Sequence, residues 1–424
     1  MSKDLLNRLS RALSEPVCEA VQWKGREATR LANGVVEIIC LTGGGHMASL
    51  RLLNEDGSHS ENLFWEAPWK TQDPVEEWSD RLSLGYGPVE IGRFLASYTG
   101  HALCLDYFGA PSKKSVSAGL SLHGEAAITR WNVKPDASSE KASCGWHVRL
   151  PVAQLSFKRE IRLGERQSVA YLRETVGNET GADHRCDWVQ HATMGPPLLQ
   201  PRESTVIASA RRGLTGTSYE RHCLLAPQSE FEWPRAPRET LGEWVDLTRP
   251  FHLDGYGFLA ALQLDPGREQ QFVLAANWRL RLGVCYCFRR CDFPWMTVWE
   301  ENRTRRDSPW NGITMARGME FGTAPLPLGE QGIIERRGIF GATPGCVIPA
   351  RGTRTAKYLI SIFSIPSHVH SIQDAAAIGD AIILYDRQGE TTLSILADGC
   401  ETFLSSGNSE AGSSRGEDDN RRQL

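Results

Sequence analysis

The chain has 424 residues, of which 41% are hydrophobic and 23% are charged, and a chain of this length buries a large core without disulfide or metal support. Its 47 Lys and Arg residues against 51 Asp and Glu residues give a net charge of −4, so no overall positive field favours binding to nucleic acid or to an anionic membrane. The 11 cysteines are odd in number and scattered, which favours reduced thiols over the disulfide framework of a secreted protein. We expect a cytoplasmic globular protein that binds neither nucleic acid nor a membrane.

Residues 1–29 are predicted to form an extension that precedes the main domain. Within it, Leu5, Leu6, Leu9 and Leu13 recur at helical spacing, which predicts a short amphipathic helix. The segment is charged and lacks the apolar core of a signal peptide. No apolar run further along the chain reaches the length of about 18 residues that a membrane-spanning helix needs.

Residues 30–403 consist of short apolar or alternating runs, each about the length of a strand and most of them close to Gly, Pro, Asn or Asp. These runs are residues 34–41, 48–53, 102–108, 146–150, 155–163, 168–176, 271–276, 282–288, 357–363, 381–385 and 392–396. The 40 glycines and 22 prolines also favour strands and turns over a helical bundle. We therefore predict an all-β fold, a large antiparallel β-sandwich. Residues 404–424 are polar and rich in Gly and Ser, and we expect a disordered tail there.

His191 is the first candidate for proton transfer. It follows an apolar run that contains Trp188 and precedes a Gly-Pro turn, where a side chain can reach a cleft at the end of a strand. Its unperturbed pKa near 6.5 suits it to give or take protons at neutral pH. A histidine that only hydrogen-bonds the turn would give the same pattern.

Glu320 and His123 are further candidates. Glu320 lies between apolar neighbours and two glycines, where burial would raise its pKa and the nearby Arg317 would lower it. A carboxylate on an exposed strand face would look identical. His123 begins an HGEAA segment with Glu125 two residues later, and a histidine in this setting is more often structural.

Aromatic residues are concentrated around the same segments. The chain has 13 tryptophans, and Trp131 and Trp299 are among those near the candidate residues. Flat aromatic rings bind the apolar C–H faces of sugars, although tryptophan in a large sandwich is more commonly part of the core. Neither a cofactor nor a metal is expected, since the chain has no phosphate-binding loop and no second pair of ligands at a zinc spacing.

Taken in order, four motifs resemble those of the aldose 1-epimerase (galactose mutarotase-like) superfamily. An NLFW segment at residues 62–65 is similar to the family's NLLW-type segment, and an LHG motif at residues 122–124 is followed by Trp131. An N-x-T strand at residues 178–180 leads to His191, and a GME segment at residues 318–320 is similar to the family's GLEP-like segment.

This resemblance implies a galactose mutarotase-like supersandwich whose concave face holds a sugar. It implies that His191 is the general acid that protonates the ring oxygen and that Glu320 is the general base at the anomeric hydroxyl. It also implies substrate binding by His123, by His101 in a segment that resembles a substrate-proximal strand, and by Trp131. The family's sugar-binding Asp has Asp254 and Asp246 in its range, and we expect Asp254 in that role. The aromatic segments add Trp299 to the expected binding residues. The expected substrate is an aldose or a related sugar, interconverted between anomers without a cofactor.

Three alternatives remain open at this point. The HGEAA and HATMGPP segments depart from the family pattern, which fits a carbohydrate-binding protein without activity. Hydrolase or lyase chemistry is the second alternative, and hydrolysis would need paired carboxylates, which Glu300 or Glu301 would supply together with Glu320. Solvated loop charges explain Glu300 and Glu301 as well. A phosphorylated sugar would suit the arginines Arg303, Arg305 and Arg306, although an exposed basic loop explains them as well.

Overall fold

The computed structural model describes residues 16–54, 58–135, 142–220, 222–330 and 338–406. The helix predicted over residues 4–13 lies outside these ranges, as do residues 407–424 of the predicted tail. No helix in the described ranges is both long enough and apolar enough to cross a membrane.

The strands of the described ranges form two large sheets and one small sheet. The larger sheet has 14 strands. They are β1 (Val17–Trp23), β2 (Arg26–Ala32), β3 (Val36–Leu41), β4 (Met47–Leu52), β5 (His101–Asp106), β10 (His184–Met194), β12 (Ala210–Thr215), β13 (Glu230–Glu232), β14 (Arg235–Pro237), β15 (Trp244–Asp246), β16 (Gly257–Leu264), β19 (Trp295–Asn302), β20 (Met315–Gly322) and β21 (Cys346–Ile348). Their spatial order is β1-β2-β3-β4-β5-β10-β20-β19-β16-β12-β13-β14-β15, and β21 pairs with β10.

The second sheet has 8 strands in the described ranges. They are β6 (Asn132–Pro135), β7 (Ser143–Leu150), β8 (Leu155–Leu163), β9 (Val169–Asn178), β11 (Ser204–Ala208), β17 (Gln270–Asn277), β18 (Leu282–Arg289) and β22 (Thr353–Ser364). Their spatial order is β11-β17-β18-β22-β9-β8-β7-β6. Buried and less buried residues alternate along β8, as expected when one face of a strand meets the core.

The main core lies between these two sheets. Large side chains from both inner faces meet there, and the rings of Phe288 and Phe321 stack with their centroids 4.4 Å apart. The small third sheet comprises β23 (Asp374–Ile378), β24 (Ala381–Tyr385) and β25 (Thr391–Leu396). It packs against the outer face of the second sheet, where Leu384 joins a second apolar cluster with Leu274.

Four α-helices are present in the described ranges: α1 (Asp80–Tyr86), α2 (Val89–Ser97), α3 (Lys113–Ser117) and α4 (Cys400–Ser405). Helix α2 begins after Pro88 and buries Phe94 and Leu95. These side chains pack over the outer face of the larger sheet, in a cluster with Trp299. Strands β10, β19 and β20 are consequently buried on both faces beneath this helix and the neighbouring loops.

The predicted all-β, antiparallel sandwich is confirmed. The sandwich extends further than predicted at both ends. At the N-terminal end, β1 and β2 already belong to the larger sheet, and the predicted boundary at residue 30 falls inside β2. Strand β1 lies at the sheet edge and is only half-buried, so its apolar pattern is weak. At the other end, α4 continues to Ser405, with Leu404 buried.

Candidate active site

His191 and Glu320 lie on adjacent antiparallel strands. The pairs Val189–Gly322 and Thr193–Gly318 fix the register of β10 and β20, and this register puts His191 directly opposite Glu320. The Nε2 atom of His191 is 3.3 Å from the Oε1 atom of Glu320. Because side chains alternate between the faces of a strand, both point to the outer face of the larger sheet, under helix α2.

Gly318 makes room for the Glu320 carboxyl. The two residues share one face of β20, and a Cβ atom at Gly318 would lie 2.1 Å from Oε1 of Glu320 and 2.9 Å from its Cδ. Trp299 is the partner of Gly318 on β19, so its indole flanks the same space. The Gly-Met-Glu order of the sequence thus lets the carboxyl fold back over its own strand toward the imidazole.

A cavity of about 280 Å³ opens above this pair. Its walls are mainly aromatic and aliphatic, and its polar groups are few. The lining residues are Phe94, Leu95, Tyr98, Phe108, Gly109, Ala110, Leu122, His123, His191, Leu259, Trp299, Arg305, Trp310, Glu320 and Pro327. A concave apolar site with a few convergent polar groups is typical of small-molecule binding.

A chain of hydrogen bonds holds the Trp299 wall of the cavity. The indole Nε1 of Trp299 donates to the Tyr219 hydroxyl at 2.8 Å, and that hydroxyl donates to Oε2 of Glu301 at 2.7 Å. The other oxygen of Glu301 accepts the backbone N–H of Thr304 at 2.6 Å. All these groups are buried, so the chain fixes the orientation of the indole.

Arg305 lies at the rim of the cavity and its charge is compensated. The guanidinium is 4.7 Å from the ring centroid of Trp310. Its Nε is 2.9 Å from Glu220 and 3.7 Å from Glu301. The arginine therefore brings no unbalanced positive charge to the cavity, which argues against Arg305 as the anchor of a phosphorylated substrate.

His123 lies beside His191, with the two ring centroids 5.2 Å apart. Its Nδ1 accepts the backbone N–H of Gly109 at 3.2 Å, so Nε2 carries the proton of the neutral ring. The next residue, Gly124, has φ +89°, and a Cβ atom there would lie 1.9 Å from the Leu105 carbonyl oxygen. At the LHG motif the backbone of Gly124 therefore lies close against that of Leu105, and this close approach directs the His123 side chain into the cavity.

Burial sets the protonation of the central pair. It lowers the pKa of the His191 imidazole well below its ordinary 6.5, and the neighbouring His123 lowers it further. It raises the pKa of the Glu320 carboxyl well above 4.5. Both shifts favour the state in which the Glu320 carboxyl carries the proton and the His191 imidazole is neutral.

The structure brings together four of the predicted site residues, His123, His191, Trp299 and Glu320, but not His101. His101 precedes Ala102, the strand partner of His191, so its side chain points to the opposite face, into the core. Its Nε2 is 3.0 Å from Oε1 of Gln190 and its Nδ1 is 3.2 Å from the Tyr286 hydroxyl. It is a buried core histidine rather than a group that lines the cavity.

Trp131 and Asp254 also lie outside the cavity. Trp131 is 1% exposed and packs in the main core against Phe157, with its Nε1 donating to the Ala126 carbonyl. Asp254 is an exposed loop residue that forms an ion pair with Arg303. Sequence order alone had placed both near the site, whereas their chain segments turn away from it.

Glu300 and Glu301 are neither catalytic partners of Glu320 nor solvated loop charges. Both lie on β19 and are buried. Glu300 faces the core, where its Oε2 is 3.4 Å from Nε of Arg317. Both carboxylate oxygens of Glu301 are engaged in the chain that holds Trp299. The described ranges contain no group of three or more His, Cys, Asp or Glu side chains arranged to hold a metal ion.

Sequence reasoning missed Tyr98, whose hydroxyl is 2.9 Å from Nδ1 of His191. It also missed the wall residue Phe94 and treated Arg305 as part of an exposed loop. One signal was available for the first two, since an amphipathic segment, VEIGRFLAS, ends next to Tyr98. No sequence period links that helix to β10, because the contact between Tyr98 and His191 spans 93 positions.

No protein-family model matches the chain, and no curated protein matches it significantly. Solved structures do match it. A candidate aldose 1-epimerase from Klebsiella pneumoniae superimposes with a TM-score of 0.56 at 13% identity, over 84% of this chain and 86% of the other. A candidate mutarotase from Salmonella typhimurium gives 0.52 at 10% identity, over 84% and 99% of the two chains.

A galactose mutarotase-like protein from Clostridium acetobutylicum gives a TM-score of 0.52 at 12% identity, over 83% of this chain and 99% of the other. Similarity at this level of identity shows the fold alone, and a fold does not determine the chemistry of its site. The motifs at residues 62–65, 122–124 and 318–320 predicted this architecture. The chain has the galactose mutarotase-like fold.

Proposed function

We propose that this protein is an isomerase of the aldose 1-epimerase type, which interconverts the anomers of a sugar. The observation that carries the proposal is the 3.3 Å separation of His191 Nε2 and Glu320 Oε1 at the floor of an aromatic cavity. Mutarotation needs one group that gives a proton and one that takes a proton, both next to the anomeric centre, and it needs no cofactor.

The reaction follows from these two groups. The acid protonates the ring oxygen while the base removes the proton of the anomeric hydroxyl, which breaks the C1–O5 bond and yields the free aldehyde. Rotation about the C1–C2 bond and ring closure with the reverse proton transfers give either anomer. A positioned acid or base of this kind contributes about 10²- to 10⁴-fold to the rate.

The protonation of the resting pair bears on the assignment of roles. With the proton on Glu320 and a neutral His191, Glu320 is the acid and His191 is the base in the first step. The family resemblance implies the opposite assignment. The two assignments differ by one proton transfer across the 3.3 Å between His191 and Glu320. The proposal requires only that these two groups share one proton, and either assignment meets this requirement.

The cavity walls supply the binding surface. Trp299 and Trp310 present rings to the cavity, and such rings suit the apolar C–H face of a pyranose. His123 offers an Nε2–H donor for a sugar oxygen. The balanced charge of Arg305 favours an uncharged sugar over a sugar phosphate.

Polarimetry of freshly dissolved α-D-glucose, α-D-galactose and a panel of other aldoses tests the proposal. We expect faster decay of optical rotation with the protein than without it, and a loss of at least about 100-fold in Glu320→Gln and His191→Asn. Glu160→Gln, an exposed carboxylate on β8, is the matched control and should keep full activity.

If no sugar in the panel decays faster, the isomerase proposal fails. Sugar binding by calorimetry in that case would favour a carbohydrate-binding protein. Full activity in Glu320→Gln would remove Glu320 from the mechanism.

A further inference from the structure

We propose that Tyr98 is a positioning residue, whose hydroxyl accepts the Nδ1 proton of His191 and so keeps the proton-transfer atom, Nε2, facing Glu320. This inference rests on the proposed function only in taking His191 as a proton-transfer group. The Tyr98 hydroxyl hydrogen-bonds the imidazole at Nδ1, the nitrogen on the side of the ring away from Glu320, and so acts on the proton transfer through His191.

The geometry around Nδ1 of His191 carries the inference. The Tyr98 hydroxyl lies 2.9 Å from Nδ1, and the Thr193 hydroxyl lies 3.0 Å from it. The two hydroxyls also contact each other. Nε2, on the opposite side of the ring, is the atom that faces Glu320.

The chemistry of the imidazole determines the direction of these bonds. A base must present the Nε2 lone pair, and the neutral ring then carries its proton on Nδ1. An acid must carry protons on both nitrogens. Nδ1 is therefore a donor in both states of the catalytic cycle, and the hydroxyl oxygens of Tyr98 and Thr193 are positioned to accept from it.

The tyrosine is held rigidly enough to do this. It follows helix α2 directly and is 1% exposed. Its ring stacks on Phe94 with centroids 4.8 Å apart and packs against Trp65 at 5.2 Å. Helix α2 and the NLFW segment thus determine where the hydroxyl lies, and the hydroxyl determines the ring orientation of His191.

The Tyr98 hydroxyl is an uncharged partner for His191, whereas His184 has a charged one. His184 has its Nε2 2.6 Å from Oδ1 of Asp106, and that carboxylate raises its pKa. A hydroxyl oxygen offers His191 the same acceptor geometry without a negative charge. It orients the ring without favouring the imidazolium form, as a weakly basic proton-transfer group requires.

The test uses ¹⁵N NMR of the histidine rings together with kinetics. In the wild-type protein at neutral pH we expect His191 to be protonated on Nδ1 and unprotonated on Nε2. Tyr98→Phe should give a mixture of tautomers, with kcat lowered about 10-fold, as for loss of one orienting hydrogen bond, and KM changed less than about 3-fold. Thr193→Val combined with Tyr98→Phe should lose more than either single change.

Tyr171→Phe is the matched control, since it removes a hydroxyl on β9 that donates to the Asp398 carbonyl at 3.0 Å, far from the cavity. It should leave both the tautomer and the kinetics unchanged. A wild-type His191 protonated on Nε2, or a Tyr98→Phe variant with unchanged tautomer and kcat, would overturn the inference. The wild-type spectrum decides even if Tyr98→Phe does not fold, and the tautomer is measured even if no sugar is turned over.

Discussion

His191 and Glu320 face each other across two neighbouring strands, with Nε2 and Oε1 3.3 Å apart. The strand pairs on either side of them, Gln190–Phe321 and Thr193–Gly318, set the register of β10 and β20, so the distance between the two groups depends on strand register rather than on a loop. The sheet therefore sets the relative position of the acid and the base.

Glu320→Gln should stabilise the protein above about pH 5. Burial raises the pKa of the Glu320 carboxyl in the folded state, so the folded protein holds this proton more tightly than the unfolded chain does. The contribution of this proton to stability is therefore complete below the pKa that the carboxyl has in the unfolded chain. It is lost as the pH rises through the pKa that the carboxyl has in the folded protein. Glutamine keeps the neutral shape and removes this loss.

Urea unfolding at pH 4 and at pH 8 measures this effect. The variant should exceed the wild type in unfolding free energy at pH 8, because only the wild type then has a buried carboxyl whose ionisation favours the unfolded chain. The difference should be small at pH 4. An equal difference in unfolding free energy at pH 4 and at pH 8 would mean that ionisation of Glu320 does not destabilise the folded protein.

The rate of mutarotation should follow a bell-shaped pH profile. Activity requires one proton on the pair, so it falls at low pH when His191 gains a proton and at high pH when Glu320 loses its proton. The lowered pKa of His191 and the raised pKa of Glu320 move the acid and alkaline limbs apart and so widen the plateau between them. Both assignments of the shared proton give the same profile, because only the number of protons enters.

Measuring kcat/KM from pH 4 to pH 10 tests this, and Glu320→Gln should remove the alkaline limb from any residual activity. An alkaline limb that persists in this variant belongs to another group.

Gly318→Ala should abolish activity while leaving the fold in place. The new Cβ atom would lie 2.1 Å from Oε1 of Glu320, and the carboxyl must move away from His191. We expect a loss of at least 100-fold in rate and a loss of about 1–3 kcal/mol in stability, as for other overpacked sites.

Polarimetry together with thermal unfolding checks this prediction. Gly145→Ala on β7 is the matched control, because its Cβ atom would only touch a carbonyl oxygen at 3.5 Å. A Gly318→Ala variant with full activity would show that Glu320 does not need its present position.

Tyr219→Phe should weaken sugar binding more than it slows the chemical step. It removes the hydroxyl between Trp299 and Glu301 and leaves the buried indole N–H without its acceptor. We expect a higher KM, a nearly unchanged kcat and a loss of about 1–3 kcal/mol in stability. Calorimetric titration with the active sugar measures the affinity directly, and an unchanged affinity would separate Trp299 from binding.

The parts of the site that were predictable from sequence are those encoded by local motifs. His123, His191 and Glu320 each stand in a short segment with its own glycine or turn, and the order of these segments indicates the fold. Trp299 was found through its position in an aromatic segment. The β-sandwich itself follows from many strand-length runs bounded by turn residues.

The parts that were not predictable depend on which face of a strand a residue occupies or on contacts distant in sequence. His101 and His191 both lie in apolar strands, but the register that pairs Ala102 with His191 turns His101 into the core. Asp254 lay in the expected order, yet its loop is exposed. Tyr98 reaches the site only because helix α2 packs over β10.

Alternate side chains of strand β10 point into the core and into the cavity. Gln190 belongs to the core, where its Nε2 donates to Glu174 at 2.5 Å, and the very next residue, His191, belongs to the cavity. One inserted or deleted residue in this strand would turn the side chains on one side of the change to the opposite face, so that core residues would face the cavity and cavity residues the core. We therefore expect length differences among proteins of this fold to lie in the loops before residue 184 and after residue 194.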